Sequence, residues 1–214
     1  MALLNIQRKH LPWIVIFLVL ILDQTFKIIV KTTMTLGERI PVIGDWFVLL
    51  FLENEGMAFG MEIPGEHGKL MLSLFRIIAV GAIGWYIHTI IRKGAPAGLI
   101  ICISLIMAGA LGNIIDSAFY GLIFSESFFG GPTAQFLPEG GGYAGFLHGK
   151  VVDMLYFPII TGYYPSWFPF VGGQDFLFFR YIFNLSDTAI TIGVFILLIF
   201  QKRFFAFENA KSEA

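Results

Sequence analysis

The sequence predicts an all-α membrane bundle of four transmembrane helices, joined to a small extracytoplasmic region rich in β-structure. Three observations carry that class. Of the 214 residues, 57% are hydrophobic and 14% charged, against roughly 45–50% and 25% in soluble domains. Four apolar runs come near the ~20 residues that a bilayer core demands. Basic residues flank those runs asymmetrically, which orients them. A soluble domain would need more surface charge than this to stay dispersed. The net charge of −1 offers no attraction to a polyanion, so nucleic acid is excluded as a partner.

The first run, about 11–30, follows Arg8, Lys9 and His10. It resembles the apolar region of a signal peptide, but no small-residue cleavage site follows it, and it carries Asp23 and Lys27 before closing on Ile28-Ile29-Val30. It is therefore a retained span. The other runs cover about 70–91, 97–124 and 181–200. Four spans put both termini on one side, and Arg8 with Lys9, Arg92 with Lys93, and Lys202 with Arg203 make that side cytoplasmic. The long connections, about 31–69 and 125–180, then lie outside. No internal repeat or compositional break divides the chain, which reads as a single integral membrane domain.

The outer segments have patterns of their own. Trp46 to Leu52 is rich in strand-forming residues between turn signals at Ile43-Gly44 and Asn54-Glu55-Gly56, which predicts a short strand or hairpin. The second connection holds Gly140-Gly141-Gly142 and the aromatics Tyr163, Tyr164, Trp167, Phe168 and Phe170, residues suited to a membrane interface.

An ionisable side chain at the centre of a span costs roughly 2.5–3.5 kcal/mol on insertion scales, so it faces the bundle interior and needs a partner. Asp23 and Lys27, at i,i+4, can pair on one face of helix 1. Asn113 and Asp116, at i,i+3, sit among small residues that permit close helix approach. Both pairs fit a structural role as well as a functional one. Asn184 and Asp187, also at i,i+3, share a face at the outer start of helix 4, where a carboxylate can serve as a cap. Asp153 lies in Gly149-Lys150-Val151-Val152-Asp153. Two carboxylates meeting in a partly dry site cannot both ionise, so one becomes an acid and the other a base. That division suits amide hydrolysis, with Asp153 and Asp187 as the candidate catalytic pair.

Other chemistries fail on inventory. There is no G-x-S-x-G elbow, no H-E-x-x-H and no Walker-type loop. The four histidines, His10, His67, His88 and His148, are scattered over both sides, so no metal site is expected. Cys102 stands alone in an apolar run and reads as a small buried hydrophobe. No cofactor is implied.

Five segments in order resemble one family, the bacterial lipoprotein signal peptidases, or signal peptidase II. Asp23-Gln24-Thr25-Phe26-Lys27 is similar to its helix 1 motif, and Asn54-Glu55-Gly56-Met57-Ala58-Phe59-Gly60 to its N-x-G-x-A-F-G segment. Gly112-Asn113-Ile114-Ile115-Asp116 is similar to G-N-x-x-D, Val151-Val152-Asp153 to V-V-D, and Phe183-Asn184-Leu185-Ser186-Asp187 to F-N-x-A-D. The resemblance implies an aspartic endopeptidase of the bacterial inner membrane that removes signal peptides from prolipoproteins carrying a diacylglyceryl-modified cysteine. Asp153 and Asp187 would be its dyad. Asn54, Gly56, Asn113, Asp116 and Asn184 would hold the substrate and the dyad, supported by Asp23 and Lys27. The first outer loop would be a cradle contacting substrate and lipid, and the enzyme a monomer.

Two departures stand out. The family usually places an arginine after the helix 3 aspartate, where this chain has Ser117; Lys150 or Arg180 is the candidate replacement. The stretch from Phe124 to His148 is longer than the family's usual connection and is read as an ornament on the outer surface, with a lid or partner contact as the alternative. Functions from other classes are an ion-coupled transporter and a non-enzymatic membrane scaffold. Transporters usually carry repeats and broken helices, and neither appears in the sequence.

Overall fold

A computed structural model describes residues 7–55, 68–178, 181–204 and 206. Four apolar helices organise them: α1 (Leu11–Thr33), α2 (Gly68–Arg92), α3 (Ala97–Ile115, continued by a π-helical turn at Asp116–Tyr120 into Gly121–Ile123) and α4 (Leu185–Ile199). The first three are long and apolar enough to cross a membrane. Helix α4 has 15 residues, turns at Phe200 and is helical again over 201–204.

Helix α3 is the central element, and glycines make it so. A Cβ at Gly109 would collide with the Ser186 backbone and Ile190, and one at Gly112 would come within 2.7 Å of Asp23 Oδ2. From the other side, a Cβ at Gly193 would stand 2.7 Å from the Cys102 carbonyl. The missing side chains let α1, α3 and α4 approach closely, the usual packing device where lipid removes any hydrophobic drive between helices. The outward faces of α1 and α2 stay apolar and exposed, with Trp13, Phe17, Leu22, Phe75, Ile78 and Trp85 among them, as a lipid-facing surface requires.

Among the described residues, six strands form in the two long connections between helices. β1 (Arg39–Ile43) and β2 (Phe47–Asn54) form the expected hairpin, and they continue through β3 (Val151–Tyr156) to β6 (Ile182–Phe183) in a sheet of order β1-β2-β3-β6. β4 (Ile160–Tyr163) and β5 (Asp175–Phe178) pair separately. β3 is buried along nearly its whole length. One expectation is corrected here: residues 181–184, read as the start of helix 4, are a short strand and the helix cap. β6 pairs with β3 through Leu155 and Phe183, and that pairing keeps this segment extended.

The stretch after α3 is more than a surface ornament. It bridges to the first outer loop through Leu36 and Phe129 and folds back on itself through Phe124 and Phe136. The π turn explains why it can dock. Widening the helix at Asp116–Tyr120 redirects carbonyls that would otherwise bond within the helix, and Gly149 N donates to Ser117 O at 2.8 Å while Ala144 N donates to Gly121 O at 2.9 Å.

Candidate active site

The site assembles where α1, α3, β2, β3 and the start of α4 converge. Lys27 is fully buried, and its ammonium meets Asp23 Oδ2 at 3.0 Å, Asp116 Oδ2 at 2.8 Å and Asn113 Oδ1 at 2.9 Å. The sequence expectation of an Asp23–Lys27 pair is met and extended, because Asp116 completes a buried triad. A lone buried cation would cost several kcal/mol, and two carboxylates around it offset that cost. Gln24 donates to Asp116 Oδ1 at 2.9 Å and accepts from Tyr120 Oη at 3.2 Å, closing the triad on its other side.

Asn113 passes this organisation to the candidate dyad. With Oδ1 held by Lys27, its amide nitrogen points the other way and donates to Asp187 Oδ1 at 2.9 Å. Asn184 is the second relay. Its amide donates to Asn113 Oδ1 at 3.2 Å and to Asp153 Oδ1 at 2.7 Å, so both of its hydrogens are used. Asp153 and Asp187 are thus linked through two asparagines, each fixed in orientation by its other bonds.

Local structure delivers each of these side chains. Asn184 and Asp187 form a reciprocal capping box at the start of α4: Asp187 N donates to Asn184 Oδ1 at 2.9 Å, and Asn184 N donates to Asp187 Oδ2 at 3.3 Å. The cap that the sequence allowed at Asp187 is present, and it leaves Oδ1 free to accept from Asn113. Asn54 pairs in register with Val151, which puts it diagonally across β2 and β3 from Asp153, and its amide donates to Asp153 Oδ2. Val152 N donates to Asp116 Oδ2 at 3.2 Å, and Ser186 N to Asp23 Oδ1 at 2.8 Å. The triad thereby grips both chain segments that carry the dyad.

The two carboxylates sit in unlike surroundings. Asp153 is only 5% exposed, whereas Asp187 is half-buried. Burial, and after it the nearby Asp187 charge, push the Asp153 carboxyl up to about 8. At neutral pH one member of the pair is therefore protonated.

Of the other expected residues, Gly56 lies outside the described residues, as does Arg180. Lys150 reaches Glu126 at 3.5 Å and the Tyr143 ring at 5.7 Å. Ser117 is buried, with its hydroxyl turned back onto Asn113 O at 3.1 Å. Sequence reasoning missed Arg76, on α2, whose guanidinium interacts electrostatically with Asp187, Asp116 and Asp153. The rule that picked out Lys27 would have found it, since Arg76 is also a cation inside an apolar span. Sequence reasoning also passed over Lys31, fully buried one turn beyond Lys27 and paired with Glu53.

Comparisons with known proteins identify the family. The family profile described as Signal peptidase (SPase) II matches residues 15–203. The lipoprotein signal peptidase of Porphyromonas gingivalis is 50% identical over 189 residues, covering 88% of this chain and 81% of its own. That of Amoebophilus asiaticus is 35% identical, covering 87% and 75%. A solved bacterial membrane enzyme is 26% identical with a TM-score of 0.57, covering 88% of this chain and 90% of its own. The profile match takes in Asp23, the Lys27 triad, both asparagine relays and the aspartates they join, and on that extent the chain belongs to the signal peptidase II family.

Proposed function

We propose that this chain removes the signal peptide from prolipoproteins whose cysteine carries a diacylglyceryl group, using Asp153 and Asp187 as an aspartic dyad. The observation that carries the proposal is the asparagine-linked pair with unequal burial. Asp153, protonated at neutral pH, donates a hydrogen bond to the scissile carbonyl. Asp187 takes a proton from a water, which attacks the carbonyl carbon. Collapse of the tetrahedral intermediate breaks the C–N bond, and the departing nitrogen takes a proton from the dyad. Asn54, Asn113 and Asn184 keep the two carboxyls oriented through these steps, and Asp23, Lys27 and Asp116 brace the asparagines.

The same proposal extends to the membrane. Four spans with both termini cytoplasmic put the sheet and dyad at the outer face, where the exposed aromatics Tyr163, Trp167 and Phe170 suit the interface. Helix α4 with its continuation over 201–204 has about the length a span needs. The single membrane domain acts as a monomer and meets its substrate from the lipid side. Family membership favours this function over the transporter and scaffold alternatives.

The test is cleavage of a lipid-modified prolipoprotein followed by gel shift. Asp153→Asn and Asp187→Asn are expected to insert, fold and leave the substrate uncut. Full cleavage by either variant would sink the mechanism.

A further inference from the structure

Counting formal charges around the dyad exposes an imbalance. Asp23, Asp116, Asp153 and Asp187 converge from α1, α3, β3 and α4, and Lys27, among the described residues, pairs with Asp23 and Asp116. Lys27 is already engaged by Asp23, Asp116 and Asn113, and reaches the dyad only through Asn113. Position 117, where the family resemblance places an arginine, holds a buried serine bonded to its own helix. A cation facing the dyad would then come from another element.

Helix α2 supplies one. Measured from the short turn that joins α2 to the antiparallel α3, Arg76 lies roughly 24 Å before Arg92 and Asp116 roughly 28 Å beyond Ala97, within about one helical turn of each other. The two therefore sit at similar depth. The face of α2 that carries Arg76 turns inward: one turn earlier, Ser73 is buried with its hydroxyl on Leu147 O at 3.3 Å, just ahead of β3. Arg76 is half-buried, with Nη1 fully enclosed. Its guanidinium lies within electrostatic reach of Asp187, Asp116 and Asp153.

We propose that Arg76 is the counter-ion of the dyad, a positioning residue delivered from α2 in place of a side chain at 117, which holds the negative charge on Asp187 while Asp153 keeps the shared proton. The inference rests on the dyad reading above. A guanidinium suits the task because it stays charged at every working pH and tolerates partial burial better than an ammonium.

The experiment uses the full chain in lipid or detergent, with Arg76→Gln, Arg76→Met and Arg76→Lys. The polar and apolar neutral replacements guard against a folding failure of either one. Rates are measured against pH on a diacylglyceryl-modified prolipoprotein. Both neutral variants should lose kcat by about tenfold or more with KM little changed, and both limbs of the profile should move up by about one pH unit, because a lost cation makes carboxylates harder to ionise. Arg76→Lys should return the limbs to their wild-type positions. Limbs that stay in place in the neutral variants overturn the proposal, whether the rate falls or KM rises, since a packing or substrate-contact role would do only that. Asp153→Asn and Asp187→Asn separate the two failures: if both are inert while the limbs stay fixed, only the Arg76 role falls.

Discussion

Lys27 and Lys31 stand one turn apart on α1, both fully buried, and they are solvated by the protein in different ways. Lys27 has two carboxylates and an amide, drawn from α1 and α3. Lys31 has one carboxylate, Glu53 on β2, together with the Ser127 hydroxyl at 2.9 Å and the faces of Phe124 and Tyr143 at 5.5 and 5.1 Å. The first centre is electrostatic and lies within the bundle. The second lies where helix, sheet and the long connection meet, and aromatic faces take the place of a second anion. Its reach is functional all the same, because Glu53 precedes Asn54, whose amide holds Asp153. The Tyr143 hydroxyl likewise accepts from Lys150 N at 2.6 Å, one residue before β3 begins.

The largest expected effect comes from breaking the first centre. Lys27→Met leaves Asp23 and Asp116 buried without their cation, which costs about 3–5 kcal/mol. Thermal unfolding in detergent should show a fall in Tm together with loss of cleavage. Neutralising Asp23 alone should recover little, because Asp116 still needs the charge.

Lys31→Met should cost less, about 1–3 kcal/mol, since methionine keeps the aromatic contacts and Glu53 keeps the Ser127 hydroxyl at 3.2 Å. Lys31→Met combined with Glu53→Gln should recover much of that loss, giving a coupling energy of about 1–3 kcal/mol in a double-mutant cycle. Equal recoveries at the two centres would erase the distinction drawn between a triad and a pair.

pH sharpens the comparison at the dyad. The folded Asp153 carboxyl titrates at about 8, above its ordinary value of 3.8. Between those values the folded state binds more protons than the unfolded state, so stability should decline as pH rises across that window. Activity should follow a bell whose falling limb lies near the upper value, with apparent constants belonging to the pair. Asp153→Asn should flatten the stability change, measured as Tm against pH. An unchanged slope would assign the proton elsewhere.

The two centres also mark what could be read from the sequence. The Lys27 centre was legible because its partners lie at helical spacing, Asp23 at i,i+4 and Asn113 with Asp116 at i,i+3, inside spans where polar residues are conspicuous. The proposed dyad was suggested by the accounting of polar residues and by ordered motifs. The helix-by-helix outline was legible from hydropathy, but the start of α4 was not, since Ile182 and Phe183 are as apolar as the helix they precede and only pairing with β3 makes them strand. The Lys31 centre escaped because Ser127 and Tyr143 lie in an aromatic, glycine-rich stretch without periodicity. Their meeting with Glu53 depends on a π turn that no residue pattern announced. Arg76 itself was visible as a cation inside an apolar span, but the carboxylates near it come from α3, β3 and α4, far apart in sequence, so spacing along α2 could not name them.

The smallest effect lies between the Lys27 triad and the dyad, at Ser186. Its backbone N–H holds Asp23, while its hydroxyl is buried against Gly112 and has no hydrogen-bond partner among the described residues. The family motif usually has alanine here, and the geometry gives the reason: the backbone performs the contact and the side chain need only be small. Burying an unsatisfied hydroxyl costs about 1–3 kcal/mol, part of which the smaller alanine returns. Ser186→Ala is therefore expected to raise Tm slightly, by an amount corresponding to about 1 kcal/mol or less, and to leave kcat and KM for prolipoprotein unchanged. A loss of activity in that variant would mean that the hydroxyl itself orders Asp23, and would extend the polar network by one more member.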